Sequence, residues 1–373
     1  MSSCAAVILA AGFSNRIEQF KPLLSLGGET ITDRVIATFR QNDVEVYLVT
    51  GNRGDELTAG IDTRNVSIVD NPDYRQGMFS SVQAGVRSLA PGYDAFFIMP
   101  VDIPLVRPFT IRRLLVASEE HPDRIIYPAF RGMRGHPPLI PVKLAPAVEA
   151  WNEDGGLRAV LDAHESLSLE VSVADGNILL DIDTADDYRM LLDRFRCYEV
   201  PTNEECGVIL TDICRVSPDI HSHSLKVTEV ALSICESLIE AGQQPDLSVV
   251  RAAAMLHDIA KGQTGHAACG GRILREMGFG TIGDIVSMHT DIPEDSAGIS
   301  LETRIVYLAD GFVEGEVTVP IEERFDSSIR RYGATQSIIA DILQRKNRAL
   351  GVKAELEDLL GYRLETLIFK EFV

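Results

Sequence analysis

The first half of the chain alternates between two spacings of apolar residues. Short apolar runs rich in β-branched residues predict strands at 5–11, 44–51, 66–70, 94–102, 124–130 and 178–183. Between them, apolar residues at helical spacing predict helices at 31–41, 80–90 and 110–120. Continuous apolar strands separated by helices are typical of a mainly parallel sheet with helices on both faces. We therefore predict an α/β fold for this half.

The second half keeps only the helical spacing. From about residue 207, this spacing predicts helices at 223–241, 247–260, 266–278, 281–289, 300–314 and 335–360. Val227, Val230, Ile234 and Leu238, for example, form one apolar stripe at steps of three and four. The second half is therefore predicted to be all-α.

The chain is long enough for two domains, since 373 residues exceed the usual size of one. We place an α/β domain at 1–196 and an all-α domain at 207–373. The segment 197–206 contains a proline and polar residues without clear periodicity, so we interpret it as the linker.

Composition and charge limit the classes of partner. The chain is 45% hydrophobic and 24% charged, as expected for a globular protein, and its formal net charge is −20. Such an acidic chain is not expected to bind nucleic acid or an anionic membrane, because phosphates attract lysine and arginine. A small phosphorylated substrate remains compatible, since it needs only a local cluster of positive charge or a bound metal.

The cysteines and apolar runs favour a cytoplasmic protein. Six cysteines without a CxxC pair are typical of free thiols in a reducing compartment. No run reaches the roughly 18 apolar residues of a membrane-spanning helix. No basic residue precedes the apolar segment 5–11, so a secretory signal is not expected.

A turn of small residues follows the first predicted strand. Leu9, Ala10, Ala11 and Gly12 let the backbone approach a ligand closely and direct its N–H groups at phosphate. The alternative is an ordinary strand-to-helix turn. The turn matches neither a Walker A sequence nor the GxGxxG fingerprint of dinucleotide-binding folds.

Charged residues near this turn and near later strand ends suit phosphate chemistry. Arg16 can bind phosphate oxygens as a fork and Lys21 as a point charge, although both would also suit a solvated surface. Asp102 ends an apolar strand, where ligands of open α/β sheets bind. Together with Asp181 or Asp183 it suits Mg²⁺, which prefers one or two carboxylates plus phosphate oxygens. Taken alone, Asp102 is better explained as a helix cap.

The segment LAAGFSNRIEQFKPLL (9–24) resembles the signature LAAGxSxRMGxxKxLL of the MobA-like nucleotidyltransferases. Ile17-Glu18 stands where that family usually has Met-Gly. Four further segments match the family in order and extend the resemblance over nearly all of residues 4–192: NPDYRQGMFSSVQAG (71–85), MPVDIPL (99–105), RGHPPLI (134–140) and LLDIDTADDY (179–188).

This resemblance implies a Rossmann-like domain that transfers a nucleotidyl group from an NTP to a phosphate acceptor and releases pyrophosphate. It implies that the turn at 9–12 lies beside the nucleotide together with Ser80 and Ser81. Arg16, Lys21 and Asp102 would act in catalysis, Asp102 as a Mg²⁺ ligand, and His136 would lie on the acceptor side.

The resemblance also bears on the substrates. Among molybdopterin nucleotidyltransferases, LAAG accompanies CTP use and LAGG accompanies GTP use. Ala11 therefore favours CTP as the nucleotide and molybdopterin cofactor as the acceptor. Transferases for sugar or alcohol phosphates share much of the pattern, so these acceptors stay open.

Histidines are concentrated in the second half, where five of the eight lie between 221 and 289. A single histidine on an apolar helix is more often a core residue than a ligand. Several histidines on successive helices, with aspartates among them, instead indicate a metal site where helices converge. Imidazole and carboxylate ligands suit Fe, Mn, Zn or Ni. The candidate ligands are His223, His257, Asp258, His266, His289 and Asp310.

The segments HSLKVTEVA (223–231), LHDIAK (256–261) and VYLAD (306–310) resemble the HD superfamily of metal-dependent phosphohydrolases. The additional His266 and His289 are typical of members that hold two metals, in which the aspartate of the His-Asp pair can bridge both ions. The region 221–315 looks most like the diadenosine-tetraphosphate hydrolases. Lys261 would contact phosphate in that family, or lie solvated after the helix.

These observations favour a bifunctional enzyme. The first domain would transfer CMP from CTP to molybdopterin cofactor, with Asp258 and the other ligands of the second domain serving hydrolysis of a phosphorylated nucleotide or ester. An alternative is a transferase for a sugar or alcohol phosphate whose HD domain senses a nucleotide without turnover.

Overall fold

The computed structural model describes residues 3–13, 19–293 and 298–369. The chain divides into two compact units, Met1–Tyr198 and Glu199–Val373. Among the described helices, none combines the length and the apolar character required to cross a membrane.

The first unit is built on a mixed, mostly parallel sheet. The strands of this unit are β1 Cys4–Leu9, β2 Ser25–Leu26, β3 Glu29–Thr30, β4 Glu45–Thr50, β5 Val66–Asp70, β6 Ala95–Pro100, β7 Ile125–Phe130, β8 Met133–Arg134, β9 Leu139–Pro141 and β10 Ser168–Ser172. The second and third strands pair only with each other, in a separate small ribbon. The order across the sheet is β10-β7-β9-β6-β1-β4-β5, with β8 paired to β7. The longer ladders are parallel, whereas β9 runs antiparallel to β6 and β7.

Helices cover both faces of this sheet. They are α1 Ile31–Arg40, α2 Gly54–Ala59, α3 Met78–Arg87, α4 Pro108–Glu120, α5 Ala145–Ala150, α6 Gly156–Ala163 and α7 Ala185–Arg196. Because side chains alternate along a strand, Phe96 of β6 faces one side and packs in a core cluster with Val82 of α3. Phe97 faces the other side, with its ring centroid 5.3 Å from that of Phe39 in α1. The predicted α/β fold is confirmed.

The strand predicted at 178–183 is wrong. The structure instead has a 3₁₀ turn at Gly176–Leu179, and the edge strand is β10. The buried carboxylate of Asp175 causes the turn, because it accepts hydrogen bonds from the backbone N–H and the side-chain amide of Asn177. The backbone of this segment bonds to loops rather than to a strand: His136 N–H donates to Ile178 O, and Ile182 N–H donates to Asp102 O, both at 3.0 Å.

The second unit is helical apart from a small hairpin. Its α-helices are α8 Asn203–Val208, α9 Pro218–Glu240, α10 Leu247–Leu256, α11 His266–Glu276, α12 Gly280–Ser287, α13 Leu301–Gly311, α14 Ile321–Tyr332, α15 Gln336–Leu360 and α16 Leu364–Ile368. The hairpin joins β11 Val313–Glu314 to β12 Val317–Thr318, and a π-helical turn spans Ile209–Ile213. Val227, Val230, Ile234 and Leu238 are all buried, as their spacing predicts.

The predicted linker contains the start of a helix. Thr202 caps α8: its hydroxyl accepts from the Glu205 backbone N–H, and the Glu205 carboxylate accepts from the Thr202 N–H. This capping box satisfies two backbone donors at the helix start. It explains why a helix begins here although the segment has no apolar periodicity. Cys206, at the end of the predicted linker, is buried.

Helices α11 and α12 approach closely at two glycines. A Cβ on Gly271 would lie 2.5 Å from Gly283 O, and a Cβ on Gly283 would lie 2.6 Å from Gly271 O. Only glycine at both positions permits this backbone contact. The contact matters for function because His266 begins α11 and His289 follows the end of α12.

We predict that Gly271→Ala destabilises the second unit. Forcing α11 away from α12 should lower the free energy of unfolding by about 1–3 kcal/mol, the usual cost of overpacking. Gly280→Ala is the matched control, because a Cβ there meets no described atom within 4 Å. Urea unfolding followed by circular dichroism measures both variants. Equal stability of the two would contradict the close helix contact.

Candidate functional site

A cleft of about 430 Å³ lies at the carboxyl ends of β1 and β6. Its lining includes these residues singled out from the sequence: Leu9, Ala10, Ala11, Gly12, Lys21, Ser81, Asp102 and Asp183. A Cβ on Gly12 would meet no atom of the described residues within 4 Å, so the space that they leave beside this turn is open to a ligand. The arrangement agrees with the rule that open α/β sheets bind ligands at the carboxyl ends of their strands.

Lys21 joins two carboxylates within this cleft. Its Nζ lies 3.1 Å from Asp102 Oδ2 and 3.4 Å from Asp183 Oδ1. The backbone holds these acids together, because Ile182 N–H donates to Asp102 O. The following turn is fixed by Asp187, whose carboxylate accepts from the Asp183 and Thr184 N–H groups. Asp102 and Asp183 are thus already arranged around a cation, and their oxygens suit Mg²⁺.

The amino-terminal end of α3 faces the same cleft. Gly77 precedes the helix with a φ of +107°, a conformation that favours glycine, and both Gly77 and Met78 line the cleft. The buried Asn71 fixes the first turn, because its side-chain amide donates to Ser80 Oγ and Ser81 Oγ. Free N–H groups and the helix dipole make such an end favourable for phosphate.

The two serines predicted beside the nucleotide differ in position. Ser81 is buried and lines the cleft. Ser80 is absent from the lining, and its hydroxyl bonds to the carbonyl groups of Asp73 and Gly77. Ser80 therefore supports the loop before α3.

Sequence reasoning missed a cation at the cleft mouth. Arg75 lines the cleft and is exposed. Its guanidinium lies over the rings of Phe13 and Tyr74, which are themselves 5.3 Å apart between centroids. The segment 71–85 resembles the nucleotide side of the family, but nothing in its letters distinguishes Arg75 from a solvated residue. Arg16, which the sequence places in catalysis, lies outside the described residues.

A second cleft of about 690 Å³ adjoins the first and shares Leu9, Met78 and Pro100 with it. His136 lines this second cleft, as do Arg134 and Arg158. Burial lowers the pKa of His136, although the charges of Asp102 and Asp181 oppose that effect.

Asp181 and Asp183, the two candidates for the second carboxylate beside Asp102, lie in different positions. Asp183 lines the first cleft and contacts Lys21. Asp181 is exposed and lines neither cleft, although its charge acts on His136. Asp183 is therefore the better placed partner for Asp102.

The second unit brings six predicted side chains together from five parts of the chain. His223 comes from α9, the pair His257-Asp258 directly follows α10, His266 begins α11, His289 follows α12, and Asp310 lies on α13. The neighbouring imidazole rings are 5.0–5.3 Å apart between centroids. Three overlapping groups of these residues place their ligand atoms within 4.8 Å of one another.

Backbone carbonyls orient three of the four imidazoles. His223 Nδ1 bonds to Gly315 O at 2.9 Å, and His257 Nδ1 and His289 Nδ1 bond to Ala254 O and Val286 O at 2.7 Å. A carbonyl can only accept, so each Nδ1 carries the hydrogen. Each Nε2 lone pair is then directed into the cluster, which is how metal-binding histidines are commonly held.

Asp258 lies at the centre of the cluster and presents a different oxygen to each side. Its Oδ1 is 3.2 Å from His266 Nε2 and 3.4 Å from His289 Nε2. Its Oδ2 is 3.5 Å from His257 Nε2 and 3.9 Å from His223 Nε2. On that same side, Asp310 Oδ1 is 3.1 Å from His223 Nε2. The carboxylate thus has the arrangement required to bridge two cations.

These separations fit a metal centre. Ligand atoms about 2.1 Å from one ion lie about 3.0 Å apart in octahedral and about 3.4 Å apart in tetrahedral coordination. Several buried polar atoms at the site have no hydrogen-bond partner among the described residues: the Nε2 atoms of His257, His266 and His289, and Asp258 Oδ1. Buried polar atoms are normally satisfied, so these groups indicate divalent cations.

The charges inside the cluster are strongly coupled. Burial raises the pKa of Asp258, but the surrounding imidazoles of His257, His266 and His289 overcome that effect and hold its pKa well below the usual range. Burial likewise lowers the pKa of His223, but the facing carboxylate of Asp310 raises it above the ordinary value. The carboxylates therefore stay ionised and require nearby positive charge.

Lys261 contacts the same aspartate from the solvent side. Its Nζ lies 2.8 Å from Asp258 Oδ2, and 45% of its side chain is exposed. The sequence allowed two interpretations of Lys261: a residue that contacts phosphate, or a solvated residue after the helix. The structure places it beside Asp258, at the edge of a cleft that reaches the histidines.

The fold and the first cleft define an α/β nucleotidyltransferase-type domain, and the six converging ligands define a helical metal-binding domain. The model of the MobA-like NTP transferase domain matches residues 6–167, and the model of the HD domain matches residues 220–314. The chain belongs to the MobA-like NTP transferase family and carries an HD domain in its second unit.

Curated relatives match the first half of the chain. The chain is 33% identical to the molybdenum cofactor cytidylyltransferase of Escherichia coli K12 over 197 residues, which are 52% of this chain and 98% of that protein. It is 31% identical to a molybdenum cofactor guanylyltransferase of Rhizobium meliloti, covering 44% of this chain and 77% of the relative. It is 36% identical to a bifunctional IPC transferase and DIPP synthase of Rubrobacter xylanophilus, covering 30% of this chain and 26% of the relative.

We predict that Asp258→Asn removes metal from the second unit. An amide cannot supply two anionic oxygens, so at least one of two ions should be lost. Asp284→Asn is the matched control, because Asp284 lies on α12, is exposed, and pairs with Arg275 at 2.7 Å. Plasma mass spectrometry of purified protein gives the metal-to-protein ratio. Full metal content in Asp258→Asn would contradict the bridging role.

Proposed function

We propose that the first unit transfers CMP from CTP to molybdopterin cofactor and releases pyrophosphate, and that the second unit hydrolyses a phosphorylated nucleotide or phosphate ester. The observation that best supports the transferase activity is the position of Asp102 and Asp183 around the Lys21 ammonium, beside the open Gly12 turn. Family membership and the 33% identity to a cytidylyltransferase support the same reaction.

In the proposed transfer, an oxygen of the acceptor phosphate attacks the α-phosphorus of CTP. A P–O bond forms there while the bond from the α-phosphorus to the bridging oxygen breaks, and pyrophosphate leaves with that electron pair. Both reactants are anionic, so Asp102 and Asp183 would hold Mg²⁺, which supplies charge neutralisation. Lys21, Arg75 and the amino-terminal end of α3 add positive charge around the triphosphate.

The acceptor would bind in the second cleft. That cleft adjoins the first at Leu9, Met78 and Pro100 and contains His136, Arg134 and Arg158. Arg134 is paired with Glu165 and Glu170, whereas Arg158 is 91% exposed with only a 3.8 Å contact to Asp162. Arg158 is therefore the more available cation for an acceptor phosphate.

For the second unit, the strongest support is the set of buried Nε2 atoms that have no hydrogen-bond partner in the described part of the chain. His223, His257, His266, His289, Asp258 and Asp310 would hold one or two ions of Fe, Mn, Zn or Ni. Such ions activate water and stabilise charge on phosphate oxygens. The protein's own part is to fix the ligands through backbone carbonyls and to place Lys261 beside the phosphate.

Nucleotide and acceptor choice can be tested on the purified chain. We expect pyrophosphate release with CTP and molybdopterin cofactor, and much less with GTP or UTP, because Ala11 stands where the CTP branch has alanine. Each NTP is assayed against molybdopterin and against sugar and alcohol phosphates. Release with a sugar or alcohol phosphate alone would contradict the proposed acceptor and favour the alternative transferase.

We predict that the two activities can be abolished separately. Asp102→Asn should lower pyrophosphate release on the order of a hundredfold, as expected when a group that offsets transition-state charge is lost. The same variant should leave hydrolysis of p-nitrophenyl phosphate unchanged. Asp258→Asn should give the reverse result.

Two other outcomes of this experiment would contradict parts of the proposal. Loss of both activities in either variant would contradict two independent sites. A metal-loaded wild-type protein that hydrolyses no phosphate ester, anhydride or nucleotide would instead support a sensing role for the HD domain.

A further inference from the structure

One imidazole of the histidine cluster is oriented by a distant part of the chain. His257 Nδ1 and His289 Nδ1 each bond to a carbonyl three residues earlier, so the ends of their own helices fix these rings. His223 Nδ1 instead bonds at 2.9 Å to Gly315 O, which lies 92 residues further along the chain. The direction of the His223 Nε2 lone pair therefore depends on where Gly315 is held.

Gly315 lies at the tip of the hairpin formed by β11 and β12, and packing does not fix it there. The residue is exposed, and its φ of +64° is a conformation that favours glycine. A hairpin of two short strands also has little stability of its own. The position of Gly315 O therefore depends on the contacts that hold the stem of the hairpin.

Helix α14 holds that stem through two hydrogen bonds. Arg324 Nε donates to Val313 O at 3.0 Å, and Ser327 Oγ donates to Glu314 Oε1 at 2.8 Å. Val313 is buried and begins the strand that follows α13, the helix of the ligand Asp310. The two residues bound by α14 directly precede the tip of the hairpin.

We propose that Arg324 is a positioning residue for one side of the metal cluster, the side that contains His223 and Asp310. Its bond to Val313 O keeps the hairpin in place, and the carbonyl at the hairpin tip keeps the imidazole of His223 directed inward. Helix α14 follows the segment matched by the HD domain model, so that model does not account for this support. The inference rests on the proposed function of the second unit, in which the cluster holds one or two ions.

A direct effect of the Arg324 charge would have the opposite sign. Arg324 lines the cleft that reaches the histidines, as does Arg331 of the same helix. A guanidinium near a cation repels it, so loss of the charge alone should tighten metal binding. Loss of the hairpin support should weaken metal binding, because His223 would no longer be held in the direction of the ion.

The test measures Mn²⁺ binding to the full chain from the electron paramagnetic resonance signal of the free ion. Every protein carries Asp102→Asn, so that the first unit does not contribute a metal site. Arg324→Ala is compared with Arg331→Ala, the matched control. The control removes a guanidinium from the same helix and the same cleft, where it lies over the ring of Tyr332.

We expect Arg324→Ala to weaken one class of Mn²⁺ site about tenfold, the lower end of the range for outer-shell partners of metal ligands. Arg331→Ala should bind Mn²⁺ as tightly as the parent protein, or more tightly. Unchanged or tighter binding in Arg324→Ala would overturn the inference. Equal losses in the two variants would also overturn it.

Ligand variants locate the effect within the cluster. With His223→Ala, the additional change Arg324→Ala should not weaken the remaining Mn²⁺ binding further, because the imidazole through which it acts is gone. With His266→Ala, Arg324→Ala should keep its effect of about tenfold. Effects of equal size in the two backgrounds would overturn the route through His223, because they would indicate a general loosening of the second unit.

A milder variant keeps the inference testable if Arg324→Ala does not fold, which circular dichroism reports. Ser327→Ala removes only the hydroxyl bond to Glu314: weaker Mn²⁺ binding would then support the inference, and unchanged binding would overturn it. Hydrolysis is measured separately on the parent protein. Arginine-dependent Mn²⁺ binding without hydrolysis of any phosphate ester would leave the positioning role standing and remove the hydrolase.

Discussion

The second unit depends on one buried carboxylate surrounded by imidazoles. Asp258 is 1% exposed, and four histidine Nε2 atoms lie within 3.9 Å of its oxygens. A buried anion is costly unless positive charge meets it. Because the Nδ1 hydrogens of three histidines are committed to backbone carbonyls, the cluster presents lone pairs inward. Divalent cations satisfy the anion and the lone pairs together.

The need to surround Asp258 with imidazoles also explains how the helices are arranged. The ligands come from α9, α13 and the ends or starts of α10, α11 and α12, so several helices must meet at one point. Gly271 and Gly283 allow α11 and α12 to approach closely. The first unit meets a similar need with a lysine: Lys21 lies between Asp102 and Asp183 where anionic substrates would enter. Both sites arrange carboxylates around a position suited to a cation.

Sequence patterns predicted much of the fold and most of the clustered ligands. Strand and helix periodicities located five sheet strands and the main helices, because burial on one face leaves a regular apolar spacing. The strands β9 and β10 are too short to leave a clear apolar pattern. Helix α14 was missed because its few apolar residues, Ile321, Phe325, Ile329 and Tyr332, stand among many charged ones. The run at 178–183 predicted a strand wrongly, since a distant side chain, Asp175, decides its conformation.

Side-chain pairing across the chain was also beyond sequence reasoning. Spacing alone did not distinguish Asp181 from Asp183, and the choice depends on the bond between Ile182 N–H and Asp102 O. Arg75, Arg331 and Arg345 read as solvated charges until the fold places them in clefts. The histidines of the second unit were predictable because several metal-binding residue types occurred together on successive helices.

The most direct test of this account is anomalous X-ray diffraction from crystals of the full chain loaded with Mn²⁺. We expect two anomalous peaks in the second unit, one near each oxygen of Asp258, about 3.5–4 Å apart. One peak would lie among His223, His257 and Asp310, and the other beside His266 and His289. No peak at the cluster, or imidazoles turned away from Asp258, would contradict it.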